Sequence, residues 1–161
     1  MLTYDLRAVP YGSADPQLLT AEVQAEYARR YGGKGDIAPI DTAEFDGEQG
    51  EFFVVYVDDA PVAMGGWRRH GEDGDGEIKR MYVRPSHQRR GLARVVLAHL
   101  EATAVAAGIS RLILETGLAQ PEAIAMYRSA GYTDIPAFGF YAADPLSVHL
   151  GKVLAGHRLT S

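Results

Sequence analysis

Residues 77–101, EIKRMYVRPSHQRRGLARVVLAHLE, carry an unusual distribution of charge for an acidic protein. The segment from Ile78 to Arg94 contains no Asp or Glu but six basic residues: Lys79, Arg80, Arg84, Arg89, Arg90 and Arg94. Its first part, about 77–84, has the pattern of a strand, and the apolar residues that follow recur at the spacing of one helix face: Leu92, Val96, Leu100 and Ala104. The stretch therefore predicts a strand, a basic turn and a helix over 89–107, with an anion bound near the turn.

The turn is the segment QRRGLA, residues 88–93. The first turn of a helix leaves backbone N–H groups unpaired, and a glycine there lets a phosphate come close to the backbone. Arg89, Arg90 and Arg94 can add charge-assisted hydrogen bonds, so a diphosphate fits better than a single carboxylate. The segment is neither a P-loop nor a dinucleotide fingerprint, because it lacks G-K-S/T and further glycines. The alternative interpretation is a solvent-exposed basic helix start, in which Gly91 is only a turn residue.

Length and composition exclude several classes of protein. A chain of 161 residues predicts one domain, residues 1–161, with its own core. A net charge of −5 disfavours general binding to nucleic acid or anionic lipid, and no apolar run approaches the roughly 18 residues of a membrane span. With no cysteine and scattered histidines, no metal site is expected. The amino terminus lacks the pattern of a secretion signal, which predicts a cytoplasmic protein, and homodimer formation stays open.

Apolar patterns predict the other elements. A first helix begins near Asp15, and a β-hairpin follows with strands at 51–57 and 62–69. Two further strands are predicted at 110–115 and 147–154, with a second amphipathic helix between them at 120–131. The run of strand, helix and strand from Glu77 to Glu115 predicts parallel strands joined by a right-handed crossover, whereas the hairpin is antiparallel. The expected fold class is α/β, with a mixed, mostly antiparallel central sheet flanked by helices.

From Glu77 to Tyr132 the chain resembles the GNAT superfamily of N-acetyltransferases. The central signature of that superfamily, Q/R-x-x-G-x-G/A after a strand, is matched by Gln88, Gly91 and Ala93. A second family segment, A-x-x-L/M-Y-x-x-x-G-F/Y, is matched by Ala123, Met126, Tyr127, Gly131 and Tyr132. Two motifs in order, with one strand between them, are far more specific than either motif alone.

The resemblance implies a co-substrate, acetyl-coenzyme A, and no metal. In the superfamily the amides of the central motif bind the pyrophosphate, and the preceding strand hydrogen-bonds the pantetheine arm. The residues implied here are Met81, Tyr82, Val83, Gln88, Arg89, Arg90, Gly91, Leu92, Ala93, Arg94, Gln120 and Ala123. Gln120 departs from the family pattern, since many members have an Asn that contacts the cofactor at that position.

The implied chemistry is direct transfer of the acetyl group to a primary amine through a tetrahedral intermediate. By its position in the second motif, Tyr127 is implied as the acid that protonates the leaving thiolate, and a backbone N–H near Met81 or Tyr82 is a candidate donor to the oxyanion. Glu77 is a candidate base, because some members place a catalytic glutamate eleven positions before the motif Gln. The alternatives are that Tyr127 only packs by its ring and that Glu77 is one more acid of a loop at 72–77.

The acceptor is the least specified part of the prediction. Arg68 is a candidate for binding a substrate carboxylate, and Tyr141 for lining the acceptor pocket, although both could be ordinary surface or packing residues. We expect an N-acetyltransferase that acts on a small-molecule amine or an amino-acid-like acceptor. Two other functions stay open: a non-catalytic module that binds acyl-coenzyme A, and acetylation of protein lysines or amino termini.

Overall fold

The structure is a computed structural model that describes residues 2–33, 35–36, 38 and 40–154. Within these ranges it has three α-helices: α1 (Ala14–Tyr31), α2 (Leu92–Ala106) and α3 (Pro121–Ser129). It also has seven strands: β1 (Asp5–Ala8), β2 (Gly50–Val57), β3 (Ala60–His70), β4 (Asp75–Val83), β5 (Arg111–Gly117), β6 (Thr133–Asp134) and β7 (Ser147–Val153). None of these helices combines the length and apolar character that crossing a membrane would require.

The seven strands form one mixed sheet in the order β1-β2-β3-β4-β5-β7-β6. Only β4 and β5, which are joined through α2, are parallel, and the other neighbours are antiparallel. The predicted fold class is therefore confirmed. Helix α2 begins at Leu92, three residues later than predicted, because Arg89 and Gly91 have left-handed backbone conformations, with φ of 64° and 82°. A continuing right-handed helix cannot include such residues.

Both faces of the sheet are buried, and successive residues of β2 contribute to opposite sides. Phe53 packs with Trp67 and the residues of α2, whereas Phe52 packs with Leu19 of α1. Phe52, Phe53 and Trp67 are at most 2% exposed. The sheet is thus held between α1 on one face and α2 on the other.

The parallel pair β4–β5 is short, and this positions the functional site. Its register joins Asp75, Gly76 and Glu77 to Arg111, Leu112 and Ile113. Beyond these pairs the two strands separate, while β4 continues its pairing with β3 through a register irregularity opposite Met64 to Gly66. Arg80, within this irregular part, has a φ of 62°. The sheet therefore opens between β4 and β5, and the side chains near the opening face a gap.

The interpretation of residues 72–77 as a solvated acidic loop is wrong for the last part of the segment. Asp75 and Glu77 belong to β4 and are 9% and 6% exposed. Each carboxylate has a basic partner from a neighbouring strand: Arg111 donates to Asp75 at 2.7 Å, and Arg68 donates to Glu77 at 3.0 Å. Local sequence does not show these partners, since they lie on other strands.

Candidate active site

A cleft of about 870 Å³ lies where β4 and β5 separate. Its volume is within the range of about 300–1,000 Å³ that is usual for ligand sites. Its walls come from α1, from β4 and the turn after it, from β5 and from α3, and among them are most of the predicted cofactor residues: Met81, Tyr82, Val83, Gln88, Arg89, Gly91, Leu92, Ala93, Arg94, Gln120 and Ala123. Tyr127 and Tyr141 also line it, whereas Arg90, Glu77 and Arg68 do not.

The turn before α2 is held in a shape that points backbone donors outward. Gly91 is the residue that caps α2, in the left-handed conformation, and no side chain caps the helix start. The first N–H groups of α2 are therefore without intrahelical partners. The side-chain amide of Gln88 donates through Nε2 to the backbone carbonyl of Val83 at 3.0 Å, which links the turn to the end of β4. A Cβ at position 91 would meet no atom within 4 Å, so the turn needs glycine for its positive φ rather than for space.

The six basic residues of the opening stretch divide into two groups. Arg89, Arg90 and Arg94 lie at the turn, and Arg94 also donates to Ser129 of α3 at 2.6 Å. The other three are engaged by carboxylates from the α1 side of the molecule: Lys79 and Arg80 by Asp36, and Arg84 by Glu22. Only Arg89, Arg90 and Arg94 of the six therefore lie beside Gly91.

Asp36 is the centre of a buried cluster next to the cleft. Its Oδ2 accepts hydrogen bonds from Arg80 at 2.7 Å and Lys79 at 3.3 Å, and its Oδ1 accepts one from the Tyr141 hydroxyl at 2.6 Å. Burial alone would raise the pKa of Asp36, but the charge of Lys79, the hydrogen bond from Tyr141 and the charge of Arg80 outweigh it and lower the pKa to about 2. One carboxylate therefore ties the segment after α1 and the loop before β7 to β4.

Tyr127 reaches the cleft from α3 and is 5% exposed. Its ring packs at 5.7 Å and 65° against that of Tyr132, whose hydroxyl donates to Glu101 at 2.9 Å. Burial, and secondly the neighbouring Tyr27, raise the pKa of Tyr127 well above its ordinary value. The Tyr127 hydroxyl thus keeps its proton at neutral pH and is available as a donor in the cleft.

A second chamber of about 220 Å³ adjoins the cleft and shares Lys79, Glu115 and Tyr141 with it. Its other lining residues are Ala38, Arg68, His70, Glu77, Phe138, Gly139 and Phe140. The structure therefore brings Glu77, Arg68 and Tyr141 together here, apart from the turn at Gly91. Arg68 donates to Glu77 and also to Glu44 at 2.8 Å. Within the described ranges, no three His, Asp or Glu side chains are grouped to hold a metal ion.

Glu115 is the residue that sequence reasoning missed. It lies on β5 beyond the last pair with β4, and its side chain borders both the cleft and the second chamber. Burial raises the pKa of Glu115, against the hydrogen bond that Ser147 donates to it at 2.6 Å and the charge of Lys79. No motif marks this position, because the carboxylate reaches the cleft only through the separation of β4 from β5.

A mixed sheet that opens beside a glycine turn with unpaired helix N–H groups is the architecture expected of an N-acyltransferase that uses acyl-coenzyme A. The model of the acetyltransferase (GNAT) family matches residues 18–132 of the chain. The chain therefore belongs to the GNAT family, which confirms the resemblance drawn from the two motifs. The enzyme class that this family defines is acyltransferase, as predicted.

Two curated relatives show how far the similarity extends. An IAA acetyltransferase of Azospirillum brasilense is 41% identical over 103 residues, which are 64% of this chain and 67% of that protein. The uncharacterized N-acetyltransferase YjcF of Bacillus subtilis is 36% identical over 84 residues, which are 52% of this chain and 56% of that protein. The chain thus spans between about half and two thirds of the length of these relatives.

Solved structures agree with the fold over nearly the whole chain. A candidate acyl-CoA N-acyltransferase from Klebsiella pneumoniae is 30% identical with a TM-score of 0.79, covering 94% of this chain and 98% of that one. The ribosomal-protein-S18-alanine N-acetyltransferase from Escherichia coli has a TM-score of 0.67 over 99% of this chain and 100% of its own. At 18% identity, this second likeness shows the fold alone.

Proposed function

We propose that the protein transfers an acetyl group from acetyl-coenzyme A to the primary amine of a small molecule. The observation that carries the proposal is one continuous cleft, in which an anion-binding turn at Gly91 lies at one part and a protonated tyrosine, Tyr127, at another. The opening between β4 and β5 leaves room between them for the pantetheine arm. A small-molecule acceptor and a cytoplasmic location are parts of this proposal.

The cofactor contacts follow from the geometry of the turn. The free N–H groups at the start of α2, at Leu92, Ala93 and Arg94, bind the diphosphate, with added charge from the three arginines of the turn. The backbone of Met81 to Val83 accompanies the pantetheine arm, and Gln120 and Ala123 at the start of α3 line the opposite wall. This is the arrangement that the family resemblance implies.

The reaction forms a C–N bond and breaks the C–S bond of the thioester. The amine, whose pKa in water is about 10, first gives up a proton to one of the two carboxylates of the second chamber, Glu77 or Glu115. A backbone N–H at the irregular part of β4, near Met81 or Tyr82, stabilises the oxyanion. Tyr127 then donates its proton to the thiolate of coenzyme A as this group leaves. The nitrogen loses a second proton as the intermediate collapses to the amide, and this proton replaces the one that Tyr127 has given up.

The experiment that tests the proposal has two parts. Calorimetry with coenzyme A measures binding to the folded protein, and a thiol-release assay with acetyl-coenzyme A measures transfer to a panel of amines, aminoglycosides and peptides. Binding together with thiol release from a small amine supports the proposal. Binding without release from any acceptor supports instead a non-catalytic acyl-coenzyme A module, and release with peptides alone supports acetylation of proteins. The absence of any heat of association would overturn the assignment of the cleft.

Replacement of Gly91 by Ala is expected to weaken coenzyme A binding about tenfold. Alanine disfavours the left-handed conformation by about 1–2 kcal/mol, and about 1.4 kcal/mol corresponds to tenfold in Kd, so the turn shifts and its N–H groups no longer converge on the diphosphate. Gly108→Ala is the matched control, since Gly108 lies at the other end of α2 with a φ of 84° and similarly open surroundings. Urea unfolding should show a similar loss of stability in both variants, whereas only Gly91→Ala should lose affinity for coenzyme A. An equal loss of affinity in Gly108→Ala would contradict the role of the turn.

A further inference from the structure

We propose that the acceptor is a small primary amine with an aromatic body and no carboxylate, bound in the second chamber with its nitrogen at Glu115. The inference rests on the proposed acetyl transfer and names the substrate class of that same site. It differs from the amino-acid-like acceptor that the sequence left open. Three features of the chamber carry it: its charge, the position of one carboxylate and its aromatic wall.

The cations of the chamber already have carboxylate partners. The Arg68 guanidinium donates to Glu44 and Glu77, and Lys79 shares Asp36 with Arg80. Among the described residues of this network, three Arg and Lys side chains, Arg68, Lys79 and Arg80, face four carboxylates, Asp36, Glu44, Glu77 and Glu115. The carboxylates thus outnumber the Arg and Lys side chains by one, a surplus of negative charge. A carboxylate on the acceptor would have to displace an existing ion-pair partner, whereas an ammonium group would balance the surplus.

Glu115 is the carboxylate best placed to receive that ammonium group. It borders the cleft as well as the chamber, so a nitrogen beside it lies where the two spaces meet. Its hydrogen bond from Ser147 engages one carboxylate oxygen, Oε2. Glu77 accepts two hydrogen bonds from Arg68, both at Oε1, and unlike Glu115 it does not line the cleft. The amine therefore binds as a cation at Glu115, gives its proton to that carboxylate and attacks the thioester as a neutral nitrogen.

The remaining wall of the chamber suits a ring. The Phe138 ring packs edge-on between His70 and His149, at centroid distances of 5.2 and 5.1 Å. Phe140, which packs against Tyr141 at 5.0 Å, is 59% exposed. An aromatic ligand would cover this surface with edge-to-face contacts. At about 220 Å³ the chamber is smaller than the roughly 300 Å³ of the smallest usual drug-sized site, which restricts the acceptor to about one ring and a short amine arm.

Two matched acceptor pairs test the inference with the intact protein and acetyl-coenzyme A. Phenethylamine and phenylalanine differ in the carboxylate, and phenethylamine and butylamine differ in the ring. We expect kcat/KM for phenethylamine to exceed that of each comparison amine at least tenfold, as measured by thiol release. We also expect Glu115→Gln to lower kcat/KM for phenethylamine at least tenfold, and by more than Glu77→Gln does. Calorimetry should show that the affinity of Glu115→Gln for coenzyme A is unchanged.

The outcomes separate this inference from the function on which it rests. Equal or better use of phenylalanine or butylamine would overturn it, as would unchanged kcat/KM in Glu115→Gln. If other amines are acetylated and phenethylamine is not, the acceptor class is wrong while acetyl transfer stands. Coenzyme A binding without thiol release from any amine would overturn both.

Discussion

Tyr127→Phe is expected to lower kcat about 100-fold while the Kd of coenzyme A stays within about twofold. General acid catalysis contributes roughly 100- to 10,000-fold, and phenylalanine keeps the ring but removes the proton that the thiolate must receive. Because the hydroxyl is proposed to act only as the thiolate forms, its loss should leave binding of the intact cofactor nearly unchanged. Steady-state kinetics and calorimetry on the same preparation measure the two quantities.

Tyr132→Phe is the matched control for this variant. The two rings are in contact, but the Tyr132 hydroxyl is bound to Glu101, and Tyr132 does not line the cleft. We expect this control to lose about 1 kcal/mol of stability, the usual contribution of one hydrogen bond, and to keep its kcat. Equal kcat in Tyr127→Phe and the wild type would remove Tyr127 as the acid, and the alternative of simple ring packing would then hold.

Asp36→Asn is expected to lower the free energy of unfolding by about 3 kcal/mol. The carboxylate balances Lys79 and Arg80, whose side chains are 8% and 6% exposed, and removal of one partner from a buried ion pair typically costs about 3–5 kcal/mol. Urea unfolding monitored by fluorescence measures the change. Asp134→Asn is the control, because its ion pair with Arg128 is largely exposed and should contribute little. A loss in Asp36→Asn no larger than in Asp134→Asn would contradict the assignment.

The same carboxylate should give the wild type a particular dependence on acid. The pKa of Asp36 is lowered in the folded state from 3.8 to about 2, so its stabilisation is complete above about pH 4 and is lost as the pH falls towards 2. This difference in pKa corresponds to about 2 kcal/mol of unfolding free energy, since a pKa difference of one corresponds to about 1.4 kcal/mol. The stability difference between wild type and Asp36→Asn should therefore shrink by about that amount between pH 5 and pH 2. A difference that is independent of pH would show that the carboxylate does not titrate in this way.

The parts of the fold that the sequence predicted well are those with local signals. The β4–α2 unit could be predicted because strand pattern, helix spacing and a glycine follow one another within 77–107. The α3 segment could be predicted from the motif around Tyr127. In both cases the residues that determine the structure lie within about one helix length of one another.

The parts that could not be predicted depend on side chains that meet from distant positions. Asp36 and Tyr141 are 105 residues apart and share one hydrogen bond, and no pattern near either residue announces the other. Glu115 occupies an ordinary strand position, and only the separation of two strands turns it towards the cleft. The burial of Glu77 likewise depends on Arg68 from β3. Prediction of the second chamber therefore required the tertiary structure.

The short parallel pairing between β4 and β5 divides the sheet into two groups of strands, which we call leaves. One leaf, β1 to β4, carries the turn at Gly91 at its edge, and the other, β5 to β7, carries Glu115. The β4–β5 register has only three residue pairs, so few backbone hydrogen bonds join the two leaves directly. A ligand that lies in the gap would touch both leaves and supply contacts between them where backbone hydrogen bonds are missing.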